Sequence, residues 1–259
     1  MAVRDRIMFA KLLSEYTWGI IFRRTCEPTD NIKEIFADFY ALAKKTFQTL
    51  DMEIEYCLLG QLDSHYKHYN AKCCENRLNK LGDRVEALRL ANMIVMPDTN
   101  MDTGLSNNEI TIRVDLHVRE KFVRTRPDFI ENVIAGMAAL TPWDYGYAIR
   151  RKYSRSPEIF LIGDAFGTVY DPSPGIKKKE AQILGIWQET DDEVRKRKLR
   201  DIFEYNVLNQ THKEKLLAVM PDLQTALTKL PNDLFLLKTD KRSQKKLREK
   251  LQGTGVLVY

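Results

Sequence analysis

Four side chains fall close enough together to raise a metal site: His65, His68, Cys73 and Cys74. Imidazole and thiolate are the usual ligands of zinc. The spacing, His-x2-His-x4-Cys-Cys, lacks the separated Cys-x2-Cys pair that marks a structural zinc module. The plainer reading is a polar, partly helical segment with incidental thiols, and no metal is expected. A second candidate is His117 with Asp115. Two residues apart on a strand, they share a face. Such a pair can orient an imidazole for proton transfer. An active site needs more than one element, and a surface or interface contact is the plainer reading here.

The standard catalytic motifs are absent. The sequence has no Gly-x4-Gly-Lys-Ser/Thr phosphate cradle and no Gly-x-Gly-x-x-Gly. It also lacks Gly-x-Ser-x-Gly and His-Glu-x-x-His. The expectation is a protein that is not an enzyme and needs no cofactor. Binding chemistry is better represented. Trp143, Asp144, Tyr145 and Tyr147 cluster at one turn. Tyr and Trp offer large rigid area with a polar tip and are enriched in binding hot spots. These four are the expected partner-binding residues, although a core role is the plainer reading for Trp143 alone. Trp18 and Trp187 carry the same two readings. Basic segments are the last candidates. Arg195 to Lys198 sit among Asp191, Asp192, Glu193, Asp201 and Glu204, a mixed and solvated face. Lys238 to Lys250 is more one-sided, with seven Lys/Arg against Asp240 and Glu249. A basic helix can track phosphates, but no aromatic platform or reader motif accompanies it.

The elements that would position these residues are organised around the stretch from Glu109 to Tyr153. Ile110, Ile112, Val114, Leu116 and Val118 alternate with polar residues, the period of a strand with one buried and one wet face. Phe129, Ile130, Val133, Ile134, Met137 and Leu140 then follow helical spacing. Thr125 is the expected cap, with Asp128 three residues on. Thr141-Pro142-Trp143-Asp144 ends that helix, and Tyr145 to Ile149 begins another apolar stretch. The middle of the chain thus reads β-α-β, a crossover that usually returns a parallel strand. Tyr16 to Arg24, a helix of about 18 residues from Ile32 to Leu50, and Ile54 to Leu59 give an earlier β-α-β outline.

Elsewhere the expectations are shorter. Residues 1–15 suit a short helix. Leu88 to Met96 is buried as helix or strand. Pro97 to Asn108 is a loop by composition, as is Gly163 to Gly175. Glu158 to Ile162 suits a strand. Thr190 or Asp191 opens a helix running through Phe203. Thr211 to Leu217 and Leu223 to Leu230 suit short helices, and Leu234 to Leu237 a strand. Asp240 caps the basic helix, and Val256 to Tyr259 tucks into a sheet as a terminal strand.

Composition bounds the rest. The chain has 259 residues, 44% apolar and 30% charged, enough for one large core or two modest ones. No apolar run approaches the length of a membrane span, and residues 1–6 lack the apolar core of a signal peptide. A cytoplasmic location is expected, with Cys26, Cys57, Cys73 and Cys74 as thiols. Net charge is +5. Residues 177–259 hold 18 Lys/Arg and 12 Asp/Glu, or +6, leaving 23 and 24, or −1, for residues 1–176. The expected architecture is α+β: one compact domain over 1–259, a mixed sheet, helices mainly on one face and a basic helical end. The portions 1–176 and 177–259 are its natural subdivision.

Several stretches together resemble a known group. They are Tyr-Thr-Trp-Gly at 16–19 and Ala-Ala-Leu-Thr-Pro-Trp-Asp-Tyr-Gly-Tyr-Ala at 138–148. Leu-Gly-Ile-Trp-Gln-Glu-Thr at 184–190 and Leu-Arg-Asp-Ile-Phe-Glu-Tyr-Asn-Val-Leu-Asn at 199–209 add to them. The last is Leu-Arg-Glu-Lys-Leu-Gln-Gly-Thr-Gly-Val-Leu at 247–257. This layout resembles the immunity proteins of bacterial polymorphic-toxin and type VI secretion systems. The resemblance implies a cytosolic antidote that binds a cognate toxin effector, often a nuclease, and occludes its active site. Such antidotes are often acidic, and the basic C-terminal end departs from that pattern. A basic nucleic-acid-binding or scaffold protein is the alternative.

Overall fold

The structure is a computed structural model that describes residues 14–61, 64–81, 85–92, 99–106, 111–155, 160–161 and 178–259. The first half runs β1 (Tyr16–Thr25), α1 (Ile32–Thr49), β2 (Tyr56–Gln61), β3 (Ser64–Asn70), α2 (Ala71–Leu81), β4 (Val85–Ala91) and β5 (Thr99–Ser106). Next come β6 (Thr111–Arg119), a single turn α3 (Glu120–Val123), α4 (Phe129–Leu140) and β7 (Tyr145–Lys152). The remainder is α5 (Lys178–Glu189), α6 (Asp192–Arg195), β8 (Tyr205–Leu208), α7 (Gln210–Val219), β9 (Leu227–Lys229), β10 (Phe235–Lys238) and α8 (Lys241–Leu251).

Ten strands form one sheet in the order β3-β2-β4-β5-β6-β1-β7-β8-β10-β9. The α+β class holds. Every ladder among the described strands is antiparallel, and the parallel contact is an isolated bridge between Leu199 and Leu257. β6 and β7 both pair antiparallel with β1, so they run parallel to each other with β1 between them. The crossover through α4 therefore spans one strand.

The two faces of the sheet are both covered. Ile20 and Phe22 of β1 enter the main core with Phe36, Phe39 and Phe47 of α1 and Ile130, Val133 and Met137 of α4. Ile21 points the other way, into a cluster with Tyr145, Tyr147, Ile149, Leu161, Trp187 and Phe203. Leu208 and Leu237 continue that second face under Leu216 of α7 and Leu247 and Leu251 of α8. Helices expected mainly on one face thus lie on both. The wet face expected of the central strand is also corrected. In β6 Ile112, Val114 and Leu116 are buried on one side, and Arg113, Asp115 and His117 on the other.

Several local expectations hold. α1 spans the expected 18 residues, although its cap is Asn31, whose side chain accepts from Glu34 N. The expected cap Thr125 is corrected: α4 starts after Asp128, which makes no side-chain cap bond, and the turn before it is α3. Asp240 caps α8 by accepting from Ser243 N at 2.7 Å. The tail residues Val256 and Leu257 are buried, but the expected terminal strand is corrected: Leu257 makes an isolated bridge to Leu199 and joins no ladder of the sheet.

Other expectations are corrected. Thr99 to Ser106, expected as loop, is the internal strand β5, paired on both edges. Phe160 and Leu161 are helical, not strand. The helix from Asp191 stops after Arg195, and the expected Leu223–Leu230 helix becomes a 3-10 turn over Pro221–Ala226 followed by β9. Residues 1–13 of the helix expected over 1–15, and the loop expected at 163–175, lie outside the described residues.

Candidate functional site

The metal cluster does not assemble. Cys74 is bonded to Cys57 in a disulfide that ties α2 to β2. This corrects the expectation of four thiols; Cys26 and Cys73 are the two cysteines outside the disulfide. His68 is exposed and meets Tyr56 at a ring distance of 5.1 Å. The side chain of His65 lies outside the described residues. Among the described residues, no group of three His, Cys, Asp or Glu could hold a metal ion.

Trp143, Asp144, Tyr145 and Tyr147 turn inward. Trp143 packs edge-on to Phe22 and donates to Met137 O at 2.7 Å. Tyr145 meets Trp187 edge-on, and Tyr147 stacks on Phe203 at 4.4 Å. The Tyr147 hydroxyl accepts from Arg200 Nη1 at 2.6 Å. Asp144 is half-buried and accepts from Thr25 N at 2.8 Å; burial raises its carboxyl pKa, although the Thr25 bond opposes this. Of the four expected partner-binding residues, Trp143, Tyr145 and Tyr147 are thus core rings, and Asp144 keeps partial exposure. The three rings are 3–4% exposed and hold β7 between α4 and α5.

His117 and Asp115 belong to a larger buried row. The register sets Asp102 of β5 opposite Asp115, and Asn100 opposite His117. Arg89 grips Asp102 with two bonds, Nε to Oδ1 at 2.6 Å and Nη2 to Oδ2 at 3.0 Å. Asn100 Nδ2 donates to Asp102 Oδ2 at 2.9 Å. Arg113 Nε lies 2.8 Å from Asp115 Oδ1, and His117 Nε2 lies 3.4 Å from Oδ2. Burial and the neighbouring Asp115 charge raise the Asp102 pKa, outweighing Arg89. Burial pushes Asp115 upward as well, but Arg113 and His117 overcome it, and its pKa falls. Two carboxylates pushed apart in this way can mark an acid–base pair. Here two guanidiniums balance the two carboxylates, and every carboxylate has a cation. The row works as an internally neutral seam between β4, β5 and β6.

A different surface carries hot-spot chemistry. Tyr16 and Trp18 of β1 are partly exposed on the face opposite the charge row. Arg150, opposite Trp18 in the register, lies 3.9 Å over the Tyr16 ring and forks onto Glu120 at 2.6 and 2.7 Å. That ion pair raises the Arg150 pKa. Trp18 meets Tyr205 at 5.8 Å, and Tyr205 OH donates to Glu131, which also takes Lys238 Nζ at 2.5 Å. Burial raises the Tyr205 pKa. Aromatic rings and an arginine held by fixed partners are the anchors interfaces use. The sequence flags Trp18, but its meeting with Arg150 and Tyr205 depends on strand register.

The comparisons bear on the fold. No family model matches the chain, and no curated protein matches its sequence. Among solved structures, the type VI secretion system (T6SS) protein PA0821 of Pseudomonas aeruginosa has a similar fold. The TM-score is 0.59 over 99% of this chain and 84% of that one, at 9% sequence identity. No helix among the described residues is long and apolar enough to cross a membrane.

Proposed function

We propose that this chain is the immunity partner of a secreted bacterial toxin, binding the toxin and occluding its active site without a catalytic step of its own. The observation that carries this reading is the likeness in fold to a T6SS protein, which extends over 99% of the chain. The sequence motifs that resemble such immunity proteins, including those around Trp18, Trp143 and Trp187, occupy core or patch positions of that fold. The polar row at Asp102, Asp115 and His117 supports a framework role, since its charges cancel within the sheet. The partly exposed patch of Tyr16, Trp18 and Arg150, backed by the buried Tyr205, supplies anchors for a protein surface.

The test is co-expression. The genome neighbour of this chain is expressed in a bacterial host alone and together with it. Arrest by the neighbour alone, relieved by the chain, is the expected result. A neighbour harmless under every condition, with the chain engaging no toxin, overturns the reading.

A further inference from the structure

The Cys57–Cys74 disulfide joins two elements that are held very differently. β2 lies inside the sheet, paired with β3 on one edge and β4 on the other. α2 has no such frame. It packs on β2 and β3, and of residues 72–80 it buries Cys74 and Leu78 while the others are exposed. The helix follows β3, the edge strand of the described sheet, without a break, and Asn70 at the junction accepts from Cys73 N at 3.0 Å. Toward α1 the packing is open. A groove of about 390 Å³ lies between the two helices, with Ala37, Tyr40 and Gln48 on one side and Glu75 and Asn79 on the other. Lys44 Nζ reaches Glu75 Oε2 across it at 3.5 Å, and both side chains are about half-exposed, which makes the pair weak.

An 11-residue helix does not persist alone in water, so α2 stands on its two buried anchors. Leu78 is one, and the bond at Cys74 is the other. Cys57 and Cys74 are both fully buried. A bonded pair of sulfurs sits well inside van der Waals contact, and a pair of thiols does not fit the same space. In an interior packed without slack, reduction must displace one element. Ladders on both edges pin β2, whereas α2 borders the groove. The element that yields is α2.

We propose that the Cys57–Cys74 bond is a redox latch: a dithiol reductant opens it and releases α2 from β2 while the rest of the sheet stays folded. The step is thiol–disulfide exchange. A thiolate of the reductant attacks one Sγ and displaces the other as a thiolate, which takes up a proton. The second thiol of the reductant then attacks the mixed disulfide, closing its own disulfide and freeing the remaining cysteine, which is protonated in turn. Two electrons pass to the protein, and Cys57 and Cys74 end as thiols. Both sulfurs are shielded, so the reductant reaches them through local opening of α2, the motion that the bond restrains. The latch is independent of what the chain binds.

The experiment is hydrogen exchange read by mass spectrometry on the full chain, purified without reductant and then treated with dithiothreitol. Cys57→Ala/Cys74→Ala removes the bond without a reductant, and Cys73→Ser controls for the neighbouring exposed thiol. The expected result is exchange of the α2 amides about tenfold faster, or more, in dithiothreitol and in the double variant. β6 and α4 stay protected over the same interval. Reoxidation slows α2 again, and Cys73→Ser behaves as the parent does. Should the double variant fail to fold, the reductant arm on the parent chain still decides. Exchange of α2 that ignores dithiothreitol overturns the proposal. Loss of protection in β6 and α4 together with α2 overturns it too, since the bond would then be a staple of the whole fold.

Discussion

At the scale of single residues, buried polar groups define what this protein tolerates. Asp115 is fully buried and is the shared partner of Arg113 and His117. Asp115→Asn preserves shape and removes the charge that compensates Arg113, itself 9% exposed. Breaking a buried pair in this way costs about 3–5 kcal/mol, so urea unfolding of the variant should show a loss of that order. His212 makes a second prediction. Burial lowers its pKa to about 4, outweighing the hydrogen bond to the Arg195 carbonyl. The unfolded chain takes up a proton as pH falls through about 6.5, while the folded chain resists until about 4. The unfolded state therefore binds more protons in that window. This group costs no stability above pH 6.5 and accumulates a loss of about 3 kcal/mol by pH 4. Denaturation of the parent and of His212→Gln across pH 7 to 4.5 should show the parent losing its lead as acid is added. A constant gap between them would contradict this account.

At the scale of elements, the glycines of β7 and α5 give opposite expectations for one substitution. A Cβ on Gly146 would lie 2.9 Å from the Ile21 carbonyl oxygen and 3.0 Å from the Phe22 ring. Gly146→Ala should destabilise by about 1–3 kcal/mol through overpacking. A Cβ on Gly185 meets nothing within 4 Å inside helix α5, and Gly185→Ala should stabilise by about 0.5–1 kcal/mol. Melting curves of the two variants should move in opposite directions. The elements also show what could be read from the sequence. α1, α4 and the hydrophobic side of β6 were legible because one face of each buries a regular apolar stripe. β5 was not legible. Its sequence, Thr-Asn-Met-Asp-Thr-Gly-Leu-Ser, has turn composition, yet it is central because β4 and β6 satisfy both its edges and Arg89 neutralises Asp102. β8 escaped for a similar reason: four residues carry too little pattern to show a period. The quartet at Trp143 to Tyr147 was found by residue type, but type does not say which way a ring points. The core packing of Phe22, Trp187 and Phe203 decided that.

At the scale of the whole molecule, the disulfide and the charge distribution govern behaviour. The Cys57–Cys74 bond closes a separation of 17 residues between β2 and α2, which in the chain-entropy picture is worth about 3 kcal/mol. Unfolding without reductant should expose two titratable thiols, those of Cys26 and Cys73. Four thiols without reductant would mean the protein is held reduced, as in the cytosol. Net charge is carried by residues 177–259, so salt acts mainly on contacts made by that part, and contacts made through the Tyr16 and Trp18 rings should be far less salt-sensitive. The central claim, that this chain works by holding a toxin, is tested most directly by capture from the native host with nuclease added and salt raised. The prediction is a single stoichiometric protein partner, identified by mass, that arrests cells when expressed alone and is tolerated with this chain. Loss of every partner under nuclease and salt would contradict the claim.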